Sequence, residues 1–241
     1  MLLLAALSGD VRAVFALATV PGVLAVVLLQ FAVEEPSRPA SGAARRMLPR
    51  WGDMRALAAP FWVVTALGAV FTLARFSEAF LILRAQQLGL PLALVPTVLI
   101  VMNLVFSLVS TPAGSLSDRI DRRLVLAAGL MALIAADLVL AGVASVAGAL
   151  AGAALWGLHM GLSQGLLSAL VADTAPPQLR GTAFGLFHFS TGIATFLASV
   201  IAGAAWETAG PSATFWIGAS LASAALVVLL GLLWRRPSTG A

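Results

Sequence analysis

The chain of 241 residues contains no cysteine, no lysine and no tyrosine. Without Cys there is no disulfide framework and no thiolate metal site. Without Lys there is no Schiff-base nitrogen, which excludes a seven-helix retinal protein. The missing external Cys pair also speaks against a seven-helix receptor. His159 and His188 are the only histidines and lie far apart in sequence, so no His-based metal centre is expected. A Gly-rich phosphate loop and a nucleophile–base signature are both absent, so neither a cofactor nor an enzymatic activity is expected. Charge is scarce: 10% of residues are charged, against about 25% in soluble domains. With 61% apolar residues and a mean hydropathy of +1.02, a soluble domain, a disordered chain and a fibrous protein are excluded. Lipid is the required solvent.

What is present is a series of long apolar runs. At about 20 residues per helical crossing, seven spans fit, near 11–33, 57–84, 91–113, 124–145, 148–172, 181–205 and 213–234. The separators are Glu34-Glu35-Pro36, Pro91 after Gly89, the charged run Asp118 to Arg123, Pro176-Pro177 and Gly210-Pro211, residues that end or cannot continue a buried helix. The runs are continuously apolar, not alternating, so the spans are helices and not barrel strands. Met1 to Leu7 is too short to cross and lacks a basic lead, which does not fit a cleaved signal peptide. The net charge of +4 is carried by Arg. The arginines cluster between spans, which points to a membrane surface and not to nucleic acid. Eleven of the fourteen fall on one side, in residues 34–56, 114–123, 173–180 and 235–241; Arg12 and Arg84 lie opposite, and Arg75 is inside a span. The Arg-rich side is expected in the cytoplasm, with the C-terminus. Residues 34–56 read as a solvated linker, with an amphipathic stretch near 47–57 whose arginines can meet anionic headgroups.

The crossing Gly114-Ser115-Leu116-Ser117-Asp118-Arg119-Ile120-Asp121-Arg122-Arg123 closely resembles the loop signature of the major facilitator superfamily, G-x-L-S/A-D-R/K-x-G-R-R/K. Asp121 departs from that pattern, which has Gly there. The first span, from Asp10 through Pro21-Gly22 to Glu34-Glu35-Pro36, resembles the sixth helix of such a transporter. Val171 to Gly185 resembles the junction of the tenth and eleventh helices. The resemblance implies an all-α membrane protein divided into residues 1–33 (last helix of an N-terminal half), 34–56 (central cytoplasmic linker) and 57–241 (C-terminal six-helix bundle), with five preceding helices missing. It also implies that Gly114, Asp118, Arg119, Asp121, Arg122 and Arg123 form a conformational latch. On physical grounds alone, Asp118 is expected to face a helix N-terminus, and the arginines to pair with Asp118 or Asp121.

Ionisable and polar side chains within spans are functional candidates. Arg75 and Glu78, three apart, are expected to share a helix face. They form either an internal ion pair with Arg75 and Arg84 snorkelling outward, or a proton- or cation-handling site. Trp156, His159 and Ser163 fall on one face of the fifth span, with Gln164 beside it. Phe184, His188, Thr191 and Thr195 make a second stripe on the sixth. Each stripe lines a solute path or bonds between helices, and His159 can titrate. Asn103 is a further pathway candidate, read more readily as a helix–helix hydrogen bond. Asp137 is expected to be structural or to snorkel. Gly157, Gly161 and Gly165, and Gly181 with Gly185, are expected to allow close helix packing.

The resemblance implies a secondary transporter that moves a small solute by alternating access with proton coupling, present here as a partial chain. The alternative is a transport-incompetent fragment serving as a membrane scaffold or half-unit. Expected partners are membrane lipids, a small solute, protons, and an N-terminal half or a second copy; nucleic acid is not. The Ala-rich, Lys-free composition fits a bacterial inner membrane.

Overall fold

The computed structural model describes residues 11–32 and 54–234. Most of the 34–56 linker, the start of the amphipathic stretch, and Arg235 and Arg236 lie outside them. The chain divides into two units, Met1–Leu48 and Pro49–Ala241. The first contains α1 (Val11–Ala32), an apolar helix that carries Pro21 in its interior.

The second unit is built from α2 (Ala59–Leu73), α3 (Ala79–Gln87), α4 (Pro96–Ser117), α5 (Arg122–Gly142), α6 (Val146–Thr174), α7 (Arg180–Ala209) and α8 (Pro211–Trp234). No strand occurs among the described residues. Among them five helical segments are long and apolar enough to cross a membrane, one in each of α4 to α8; apolar helices at Ala16–Phe31 and Ala59–Leu73 are shorter. The protein is therefore an all-α, multi-pass membrane protein.

Local chemistry sets the boundaries. Prolines stand at the first turns of α2, α4 and α8, where a missing N–H costs nothing. Gly89 and Gly210 adopt φ of 95° and 89°, conformations that suit glycine and stop α3 and α7. Ser145 caps α6 by accepting the Gly148 N–H at 3.0 Å. Pro112 does not end α4, which continues to Ser117; neighbouring helices commonly tolerate such a proline in a membrane. The expected end at 113 is thus four residues short, and Gly114 lies within the helix instead of in a loop.

The larger departure concerns the second expected span. Residues 57–84 do not form one helix: α2 ends at Leu73 and α3 begins at Ala79. Arg75, Phe76 and Ser77 between them are non-helical. The freed backbone donors find partners, Ser77 N–H at Ser199 Oγ of α7 and Ala79 N–H at Ser77 Oγ, each at 3.3 Å. The Phe76 ring anchors the break, with ring centroids 5.2 Å from Trp156 on α6, 5.4 Å from Phe80 on α3 and 5.6 Å from Phe215 on α8.

α6 is the central helix, packed between α4 and α5; α8 joins α5 and α7, and α2 lies against α7. A Cβ on Gly157 would run into the Met102 backbone of α4, and one on Gly161 would stand 2.9 Å from Val109. Gly165, Gly181 and Gly185 meet nothing within 4 Å, so only two of the five glycines carry the expected packing role. The outward faces of α4 (Ile100, Leu104, Leu108) and α7 (Phe189, Phe196, Val200) are apolar and exposed, surfaces that suit lipid.

Two charged side chains within the spans are buried: Arg84, against expectation, and Asp137, which leaves the structural one of its two expected roles. Arg84 does not snorkel. It is buried, with Nε donating to Leu140 O at 2.9 Å, Nη1 to Gln87 Oε1 at 2.9 Å and Nη2 to Ser212 Oγ at 3.3 Å. Its cation stands over the C-terminal carbonyls of α5, where the helix dipole favours it. Asp137 is fully buried, with both carboxyl oxygens lacking a hydrogen-bond partner. It faces α8, where Oδ2 lies 2.6 Å from the position a Gly218 Cβ would take. Only a glycine leaves room for it.

The glycine contacts generate a paired test. Gly157→Ala forces α4 and α6 apart and should destabilise the bundle by about 1–3 kcal/mol, the usual cost of overpacking. Gly165→Ala meets open space and should stay within about 1 kcal/mol of the parent, with any shift toward stability. Unfolding of both variants in detergent micelles measures the difference.

Candidate functional site

Arg75 follows α2 without continuing it, and that places its side chain. In non-helical backbone, successive residues can diverge to opposite sides. Phe76 enters the aromatic cluster, and Arg75 lines a cavity of about 440 Å³. Ligand cavities commonly span about 300–1,000 Å³.

Three elements line this cavity besides the break. α2 supplies Phe71 and Thr72, α6 supplies His159, Ser163, Gln164, Leu167 and Ser168, and α7 supplies Phe187, His188, Thr191 and Thr195. The structure thus brings together Arg75, His159, Ser163, Gln164, His188 and Thr191, which the sequence left on three separate spans. Thr72 and Ser168 were not singled out. The signal for Ser168 was present, since it stands one turn beyond Gln164 and extends the polar stripe of α6. Thr72 and the apolar wall of Phe71, Leu167 and Phe187 carried no distinguishing signal in an apolar run.

The remaining pathway candidates lie elsewhere. Trp156 is fully buried one turn from His159; the Phe76 ring fills the bundle at that level. Asn103 is exposed, and its Nδ2 donates to Leu99 O of its own helix at 2.8 Å, so it neither lines the cavity nor bonds to another helix. Glu78 does not line the cavity. It precedes α3, so it shares no helix face with non-helical Arg75, and no ion pair within 4 Å joins them.

The polarity of the site follows from its hydrogen bonds. His159 Nδ1 lies 2.9 Å from Gly129 O of α5. A carbonyl only accepts, so Nδ1 carries the hydrogen and Nε2 remains an acceptor in the neutral ring. The hydroxyls of Thr72, Ser163, Thr191 and Thr195 each donate to the carbonyl four residues back, at 2.8, 2.8, 2.9 and 3.0 Å. Their lone pairs are left to face other groups. Arg75 Nη1 is buried with no hydrogen-bond partner. No Asp or Glu lines the cavity, and no group of three or more metal-ligating side chains occurs among the described residues.

A second constellation lies at the α4–α5 turn. Asp118 is the C-terminal cap of α4, so it does not face the next helix N-terminus as expected. Asp121 does: it is the N-cap of α5 and accepts the Arg123 N–H at 3.0 Å. Arg119 lies in the turn itself. Arg122 Nη1 pairs at 2.5 Å with Asp173 Oδ2 in the last turn of α6, a contact that sequence spacing did not predict. The ion pair ties the turn to the helix that carries His159.

An all-α bundle with membrane-length helices, a polar cavity on a broken helix and a charged inter-helix turn defines a multi-pass membrane protein. The chain belongs to the Major Facilitator Superfamily: the family model matches residues 1–199 and, in a second overlapping match, 79–241. An uncharacterized MFS-type transporter from Methanocaldococcus jannaschii is 31% identical over 220 residues, covering 89% of this chain and 54% of the relative. The chain spans about half the length of the relative it matches.

The two acidic contacts of the turn differ in expected cost. Asp121→Ala removes the α5 cap and should destabilise by about 1 kcal/mol. Asp173→Asn breaks a pair whose side chains are 32% and 61% exposed; such pairs contribute no more than about 1 kcal/mol. Denaturant titration of both variants reads these values.

Proposed function

We propose that this chain forms the solute-binding half of a secondary transporter, moving a small solute by alternating access with proton coupling. The cavity around Arg75, His159 and Gln164 carries this reading. Polar groups inside a membrane bundle are costly and concentrate along transport paths, and many transporters build their sites on discontinuous helices. His159 is the proton-coupling candidate on position: it lines the cavity, and with Nδ1 held on Gly129 O its Nε2 is left as an acceptor. Glu78, next to the break, is a second one.

In this reading residues 57–241 are the C-terminal bundle, 34–56 the central cytoplasmic linker and 1–33 the last helix of an N-terminal half. The cavity is completed by such a half, or by a second copy. The segment from Gly114 to Arg123, the end of α4, the turn and the start of α5, acts as the conformational latch, and Arg122–Asp173 couples it to α6. The arginine distribution supports a cytoplasmic C-terminus in a bacterial inner membrane.

Reconstitution tests the proposal. Proteoliposomes carrying the chain, alone and together with an N-terminal six-helix half, are given an inward proton gradient and a panel of labelled organic acids, polyols and amines. Gradient-driven accumulation of at least one class is expected, at the latest when the N-terminal half is supplied. His159→Ala should abolish the gradient dependence. No uptake in either format overturns the transporter reading and leaves a scaffold role.

A further inference from the structure

The cavity also carries information about what it holds. Its charged lining is one-sided. Arg75 is a guanidinium with Nη1 buried and unpartnered, and no carboxylate lines the cavity to balance it. Glu78 acts on it electrostatically from the side of the break but makes no ion pair with it within 4 Å, and Asp137 is outside the lining, against Gly218. A buried cation with no contact partner is costly, and an anion seated against it repays that cost. A guanidinium fork matches the planar oxygens of a carboxylate, or those of a phosphate, with two parallel hydrogen bonds.

Beside Gln164, Ser168 and His188, which keep donors of their own, five groups of the lining have the opposite hydrogen-bonding sense. Thr72, Ser163, Thr191 and Thr195 spend their hydrogens on helix carbonyls, and His159 spends its Nδ1 hydrogen on Gly129. Toward a ligand these groups accept. A solute that satisfies them must bring donors of its own. One wall, Phe71, Leu167 and Phe187, takes a hydrocarbon face.

Building on the transporter reading, we infer that the solute is a small organic anion that carries hydroxyl or amino groups, its anionic end on Arg75 and its donors toward the α6 and α7 hydroxyls. A net cation is disfavoured by Arg75, and a plain fatty acid leaves the acceptors unpaired.

A matched six-carbon set tests this on the full chain in nanodiscs of uncharged lipid, where no anionic headgroup competes. Calorimetric titration compares gluconate (anion with hydroxyls), hexanoate (anion without), sorbitol (neutral with hydroxyls) and glucosamine (cation with hydroxyls). Gluconate should bind at least tenfold more tightly than sorbitol or glucosamine, and several-fold more tightly than hexanoate. Arg75→Gln should lose tenfold or more of gluconate affinity, and Arg75→Lys should recover part of it. Thr72→Val, which retains the charge, should weaken gluconate more than hexanoate. Removing an unpaired buried charge should leave Arg75→Gln folded and at least as heat-stable as the parent without ligand, so lost binding is separable from lost fold. Binding of sorbitol or glucosamine at or above the level of gluconate overturns the inference and leaves the transporter reading intact. Hexanoate equal to gluconate overturns the donor requirement. Silence across all four probes overturns the inference, while the uptake experiment judges transport independently.

Discussion

The interruption between α2 and α3 is the constraint on which the site depends. A continuous helix over 57–84 would keep Arg75 and Phe76 about 100° apart on one cylinder, and both could not reach their present surroundings. With three non-helical residues, Phe76 joins Trp156 and Phe215 while Arg75 turns into the cavity. Unpaired backbone is tolerated at membrane depth only where protein covers it. Here Ser199 and Ser77 supply the partners, so α7 holds the break in place and forms a wall of the same cavity.

Around that break the bundle separates two kinds of buried charge. Arg84 is consumed structurally: Nε and Nη2 tie α3 to the end of α5 and the start of α8, and Nη1 is held by Gln87 of α3 itself. Arg75 is left unsatisfied, and so is Asp137 behind the glycine gap at Gly218. A guanidinium fully paired within the fold has nothing left to offer a ligand; one with a free, buried nitrogen does. That difference, and not the presence of arginine within a span, separates a clamp from a site.

Much was legible in the chain itself. The apolar runs and their Pro, Gly and Asp-Arg separators place α4 to α8 to within a few residues, because hydrocarbon length and helix rise leave little choice. The 114–123 signature carried the family resemblance, and the family match agrees with it. The polar stripe at His159, Ser163 and Gln164 was visible as a helical face. Less visible was which end of that stripe opens onto a cavity: Trp156 has the right period but meets Phe76, eighty residues earlier in the chain. Asp121 and Asp118 show the same limit. Either can serve as an N-cap by composition, and the point where α4 stops decided between them.

Sequence alone determined the solvent, the position and length of the five long crossings, and the candidate polar groups, because each of these depends on residues close together in the chain. The tertiary structure decided the break at Arg75, the burial of Arg84 and Asp137, the Arg122–Asp173 pair and the shared cavity. These depend on contacts between residues tens of positions apart, where a hydroxyl on α7 can stabilise a kink before α3 and a glycine on α8 can admit a carboxylate from α5. Periodicity along one helix holds no record of what the neighbouring helix presents.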